Sequence, residues 1–204
     1  SVSPEKFASE DVIFRHIHRG DTIFIGSACA EPQYLVQGLI RYVKAHPKAF
    51  FDAEVLHIRT LGVAPYATEK FRDNFRHNSF FIGDSTREAV NKGLADYTPV
   101  FLSQVPDLFR RGLARVDVAL IQTSSVDIHG YMSLGVSVDI VKAAVETASV
   151  VIAQVNSRMP RVHGDAFIHI DDIDFLVPRD EEILEYSPEA DTEAAQRIGK
   201  YVAR

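Results

Sequence analysis

Two rhythms of apolar and polar residues alternate along the chain. Short, largely apolar runs occur at TIFIG (22–26), at Val116, Val118, Ala119, Leu120 and Ile121, and at VVIAQV (150–155). Runs of this length suit parallel strands covered on both faces. Between them, apolar residues recur every three or four positions. Residues 8–19 place Val12, Ile13, Phe14 and Ile17 on one helical face, with Ser9 as N-cap before Glu10 and Asp11. A second helix opens near Pro32, a favoured first helical residue, carries Leu35, Val36, Leu39, Ile40 and Val43, and ends at His46-Pro47.

The pattern predicts further elements in order. Glu54–Thr60 reads as a strand, and SFFIGDSTREAVNKG (79–93) as a strand, a turn at Gly83 and a helix. In that helix Ser85 and Glu88 stand at capping-box spacing. Residues 97–102 read as extended, Val105–Phe109 as a short helix, and 137–149 as a helix. The segment 156–178 is irregular, and 187–204 is a final helix with Ala194, Ala195, Ile198, Tyr201 and Val202 on one face. Repeated strand–helix units predict an α/β fold with an open, mainly parallel sheet and helices on both faces.

Composition narrows the picture. The chain has 204 residues, 46% of them hydrophobic, enough for one substantial core. A net charge of −6, with no Lys/Arg run longer than two residues, argues against a nucleic-acid surface. Cys29 stands alone, so no internal disulfide framework exists. No apolar span of membrane length is present, so no membrane partner is expected, and a cytoplasmic setting is the default.

In open parallel sheets, ligands sit past the carboxyl ends of the strands. That directs attention to Val116–Gly135, where an apolar run empties into Thr123, Ser124, Ser125, Asp127, His129 and Gly130. Asp127 and His129 suit an acid/base pair or contacts to a carboxylate substrate. They suit equally a turn that bonds only its own loop. Gly26–Pro32 reads as a strand-to-helix turn whose N–H groups are available to an anion, or as a glycine turn serving geometry alone.

Three longer stretches carry a family resemblance. SSVDIHGYMSLGVSVDI (124–140), QVNSRMPRVHGDAFIHIDDIDFLV (154–177) and GDSTREAVNKGLADYTPVFLSQVPDLF (83–109) resemble the N-terminal half of the acetyl-CoA hydrolase/transferase family. That family includes 4-hydroxybutyrate and acetate CoA-transferases. The resemblance implies a class I CoA-transferase fold, in which two similar open α/β halves face each other across a cleft. It also implies coenzyme A, as acyl-CoA, and a small carboxylate as substrates, with no permanently bound cofactor. In that chemistry a glutamate attacks the thioester and passes through an acyl anhydride to a glutamyl-CoA thioester. The motif holding that glutamate is absent here, so the nucleophile is expected outside this chain.

The final helix, AAQRIGKYVAR, resembles DVIFRHIHRG near the start and reads as the entry to a second half. The expected division is therefore 1–186 as a CoA-transferase-type domain and 187–204 as a helix leading toward a missing C-terminal half of the same protein. A homo-oligomer is expected, and the chain alone should be inactive. The alternatives are one subunit of a heteromeric CoA-transferase, or a non-catalytic module that binds an acyl-CoA or organic acid.

Within this frame Gly26, Ser27, Gln104, Ser125, Asp127, His129 and Gly130 are the candidate substrate-binding residues, Gln104 as an amide donor to an oxyanion. Glu31 is expected to complement the dipole of the helix that follows it. Cys29 has the position of an activated thiol, but the family uses glutamate. His163, Asp165, His169, Asp171, Asp172 and Asp174 are interleaved with Phe167, Ile168, Ile170, Ile173, Phe175 and Leu176. They are read as a strand–turn–strand with a wet face, and no metal site is assigned.

Overall fold

The computed structural model describes residues 3–187 and 192–203. Nine strands are present among them: β1 (Thr22–Ile25), β2 (Ala53–His57), β3 (Phe75–Ser79), β4 (Ala95–Tyr97), β5 (Val118–Thr123), β6 (Tyr131–Ser133), β7 (Val150–Val155), β8 (Phe167–His169) and β9 (Phe175–Pro178). The helices are α1 (Glu10–Phe14), α2 (Gln33–Ala45), α3 (Asp84–Asn91), α4 (Val105–Arg110), α5 (Val141–Thr147) and α6 (Glu193–Val202). Seven strands form one open sheet in the order β4-β3-β2-β1-β5-β7-β9, and every pairing in it is parallel. β6 and β8 form a separate antiparallel ribbon.

Alternating side chains of the central strands feed two cores. On one face Ile23, Ile25, Val55, Leu120 and Ile152 pack against Phe14, Leu35, Leu39 and Tyr66. On the other, Phe24, Leu56, Ala119, Ile121 and Ala153 meet Val105, Phe109, Val141, Ala144 and Ile168 of α4, α5 and the ribbon. Each fully buried large aliphatic side chain contributes about 2 kcal/mol, so this two-sided burial is what selects the parallel sheet. α1 lies close on α2 because Gly38 has no side chain: a Cβ there would come within 3.1 Å of the Glu10 carboxyl group and 3.2 Å of the Phe14 ring.

Several expected boundaries move. The helix expected over 8–19 is only the five residues of α1; Ser9 makes no side-chain cap, and Val12 is 41% exposed while Ile13 and Phe14 are buried. Pro32 is the residue before α2 rather than its first. The strand expected at 79–82 lies earlier, as β3, with Phe80 following it. Its sequence, FRHNS, buries Phe75, His77 and Ser79 and turns Arg76 outward, so a buried histidine stands where an apolar residue was sought.

The capping box at Ser85 does not form: Gly83 is the N-cap of α3, and the Ser85 hydroxyl donates to the Thr60 carbonyl at 3.1 Å. The helix expected over 137–149 shortens to α5. The strand–turn–strand expected within 156–178 exists, but its arms join different sheets, β8 pairing with β6 and β9 with β7. The final helix forms as α6, capped by Thr192 Oγ1, which accepts from Ala195 N. Positions 188–191 and Arg204 of that expected segment lie outside the described residues. Among the described residues no helix is long and apolar enough to cross a membrane.

Candidate functional site at the strand-order reversal

From β1 the chain builds outward through β2, β3 and β4, then returns to place β5 on the other flank of β1. The strand order therefore reverses between β1 and β5. At such a point the loops leaving neighbouring strands diverge and open a crevice at the carboxyl ends. The two loops here are 26–32, after β1, and the segment after β5 that begins at Ser124.

The first loop is strapped down on both sides. Gly26 N donates to the Leu120 carbonyl at 2.9 Å, and Ser27 Oγ, buried, accepts from Ile58 N at 3.1 Å. Ala28 takes a left-handed conformation, φ 56°, which costs a non-glycine residue about 1 kcal/mol. It is held there by donation from its N–H to the Arg59 carbonyl at 2.8 Å. Glu31, expected to complement the dipole of α2, is 1% exposed and is engaged by donors of the β2 loop. Its Oε2 accepts from the Thr60 hydroxyl and from Gly62 N at 3.2 Å, so its carboxylate joins the β1 loop to the β2 loop. Burial raises its pKa, against the lowering effect of those donors.

The start of α2 is occupied by other groups. Tyr34 N donates to Glu181 Oε1 and Leu35 N to Gln154 Oε1, each at 3.3 Å. These bonds consume two of the N–H groups that an anion at the helix start would need. Gln154 also donates to Glu181 Oε1 at 2.6 Å. Asn156 Nδ2 donates to Gln122 Oε1 at 2.7 Å and to the Glu181 carbonyl at 2.8 Å, and Gln122 Nε2 donates to the Glu31 carbonyl at 3.2 Å. Gln122, Gln154 and Asn156 are buried, the first two paired across β5 and β7. They form a polar layer that fixes the floor of the crevice.

The second loop is a tight hairpin. Asp127 Oδ1 accepts from His129 N and Tyr131 N, each at 2.8 Å, and Oδ2 pairs with Arg161. The Tyr131 N–H, with lesser help from His129 N–H and Arg161, holds the Asp127 carboxyl below its ordinary range. Asp127 is therefore an ionised group committed to its own loop and to Arg161. Gly130 turns the chain with φ 87°, and a Cβ there would lie 2.5 Å from His169 Nε2. That ring nitrogen stands 3.2 Å from the His129 carbonyl. The His129 imidazole and Ser125 are exposed.

Of the seven candidates, Gly26 and Ser27 lie in the loop after β1, and Ser125, Asp127, His129 and Gly130 lie in the segment after β5, at the same end of the sheet. Gln104 ends a 3₁₀ turn before α4, exposed, with no side-chain hydrogen bond to either loop. Sequence reasoning missed the layer of Gln122, Gln154 and Asn156, although two glutamines at the same depth of adjacent apolar strands signal it. It also missed Arg59, and the buried pair His57 and His77, whose Nε2 atoms lie 2.7 Å apart. Both Nδ1 atoms are enclosed without a partner. Burial, and then the neighbouring His77, hold the His57 pKa well below its ordinary value; burial lowers that of His77 to about 4.

Residues 3–186 match the family model described as the acetyl-CoA hydrolase/transferase N-terminal domain. Over 202 residues the chain is 40% identical to the 4-hydroxybutyrate coenzyme A transferase of Clostridium kluyveri, covering 99% of this chain and 46% of that protein. It is 37% identical over 200 residues to the succinyl-CoA:acetate/propanoyl-CoA:succinate CoA transferase of Fasciola hepatica, covering 98% and 41%. Among solved structures it resembles a 4-hydroxybutyrate CoA-transferase from Porphyromonas gingivalis, with TM-score 0.76, 30% identity, and coverage of 97% of this chain and 45% of that one. The chain thus spans less than half the length of these relatives.

Proposed function

Because the chain belongs to the acetyl-CoA hydrolase/transferase N-terminal domain family, we propose that it forms one wall of a site that moves CoA between carboxylic acids. A second half of the same protein supplies the other wall and the nucleophilic glutamate. The observation that carries this reading is the strand-order reversal between β1 and β5, with a strapped loop and a polar hairpin on its two sides.

In this reading the glutamate carboxylate attacks the thioester carbonyl and CoA leaves as a thiolate, giving an acyl-glutamyl anhydride. The thiolate then attacks the glutamyl carbonyl, releases the first acid and leaves a glutamyl-CoA thioester. An acceptor carboxylate reverses both steps and departs as the new acyl-CoA. Hydrolysis results where water opens the intermediate instead. The present chain contributes shape and polarity. The β1 loop lies beside the acyl group, and the exposed His129 and Ser125 approach the acid. Each half alone is inactive, and 187–204 leads from one half to the other.

The test is to incubate the full-length protein with acetyl-CoA and an acceptor acid, trap the thioester and map the modified peptide. The expected adduct lies on a glutamate outside residues 1–204. An adduct on Cys29 or Glu31, or turnover by this chain alone, contradicts the reading.

A further inference from the structure

Arg59 lies two residues beyond β2, at the carboxyl end of the sheet, where its carbonyl accepts from Ala28 N and its side chain runs past Gly83. Its guanidinium carbon stands 4.9 Å from the ring centroid of Tyr186 and 5.7 Å from that of Phe81. Two aromatic rings thus hold it from different parts of the chain. Elsewhere past the strand ends, Arg161 pairs with Asp127 and Arg158 with Glu182, while Arg179 lies over the Tyr34 ring. Arg59 has no carboxylate within ion-pair distance among the described residues. Its Nε is enclosed and without a hydrogen bond, while its two terminal nitrogens are unbonded and not enclosed. A guanidinium held over two aromatic rings with its terminal nitrogens free is prepared for two parallel hydrogen bonds to a planar anion.

Resting on the CoA-transfer reading above, we infer that Arg59 is a specificity-determining residue that binds the free, non-reacting carboxylate of a dicarboxylic acyl group such as succinyl. The reacting carboxylate alternates between anion, anhydride and thioester and loses its charge on the way. The distal carboxylate of a dicarboxylate keeps its charge throughout, which suits a permanent cation. The single positive charge of Arg59 also matches one carboxylate better than the multiply charged phosphates of CoA. A monocarboxylate such as butyrate leaves the terminal nitrogens to water.

The experiment compares full-length wild type, Arg59→Met and Arg59→Lys, with acetyl-CoA as donor and succinate or butyrate as acceptor. Methionine retains an apolar stem between the rings, and lysine retains the charge without the fork. A charge-assisted bidentate contact predicts a loss of roughly 10- to 100-fold in kcat/KM for succinate in Arg59→Met. Butyrate should change less than about threefold, the KM for acetyl-CoA should not move, and Arg59→Lys should fall between. Equal losses for both acids, a raised KM for acetyl-CoA, no change with succinate, or a wild type that uses butyrate but not succinate each overturn the inference while leaving CoA transfer standing. If wild type transfers no CoA, the function reading fails and calorimetric titration with succinate and butyrate decides on Arg59. Succinate binding abolished by Arg59→Met supports the inference, and succinate binding that is absent or unchanged overturns it.

Discussion

The two sides of the crevice are built on opposite principles. On the β1 side, and in the floor supplied by β5 and β7, the polar groups point inward: Ser27 and Glu31 of the β1 loop, and Gln122, Gln154 and Asn156 of the floor, are all buried, and most of their hydrogen bonds join one loop or strand to another. On the β5 side Asp127 serves its own hairpin, and His129 and Ser125 face solvent. A side chain spent on holding a loop is not free to meet a ligand. The β1 side and the floor therefore set the shape of the site, and on the hairpin His129 and Ser125 are left exposed and free to meet a ligand.

Substitution of the buried layer should separate the two sides most strongly. Asn156→Ala removes the partners of Gln122, of Arg158 N and of the Glu181 carbonyl at a site with no exposure, and should destabilise the fold by about 3 kcal/mol or more in urea unfolding. A loss under about 1 kcal/mol would show that the layer is not holding the floor of the crevice.

Acid should act on the buried side next. Native His77 has a pKa of about 4 and native His57 lies well below its ordinary value, so the unfolded chain binds more protons than the native one between about pH 6.5 and pH 4. The histidine contribution to stability is then complete above pH 6.5 and falls as pH drops through that window, with His77 alone accounting for about 3 kcal/mol. Glu31, whose native pKa is raised, acts in the reverse direction, its contribution being lost as pH rises. Asp139, whose pKa burial also raises, acts in the same direction as Glu31, so unfolding of the Glu31→Gln/Asp139→Asn variant at several pH values separates the histidine effect. A flat profile between pH 4 and 6.5 would remove the buried neutral pair from the account.

Glu31 itself gives the third test. Glu31→Ala leaves the Thr60 hydroxyl and Gly62 N unpaired and should cost about 2 kcal/mol, whereas Glu31→Gln keeps an acceptor and should cost less than half as much. Equal losses would mean that the loop is held by something other than this clasp. The smallest stability effect belongs to the hairpin: His129→Ala should shift unfolding by less than about 0.5 kcal/mol yet lower CoA transfer in the full-length protein. The opposite result, a destabilised fold with unchanged turnover, would erase the distinction between the two sides.

How much of this the sequence discloses follows the same division. β1, β5 and β7 are legible because their apolar runs leave no other economical burial, and the reversal between β1 and β5 brings the loops 26–32 and 124–130 to the same end of the sheet. β3 was misplaced because Arg76 and Asn78 alternate with a buried histidine, so its period of two is written in residues that read as loop. β4, three residues at the sheet edge, carries too little pattern to show. In the site, Asp127 and Gly130 were legible as a turn. The buried clasp at Glu31, the glutamine layer and Arg59 were not, because burial and unpaired charge arise from contacts distant in sequence.

Hydrogen–deuterium exchange of the full-length protein, with and without bound CoA, tests most directly whether the crevice between β1 and β5 is the ligand-facing wall. The account predicts added protection in 26–31 and in 124–131, and none at the opposite end of the sheet around Arg72–Arg76. Protection confined to that opposite end, or no change in either loop with CoA bound, would contradict it.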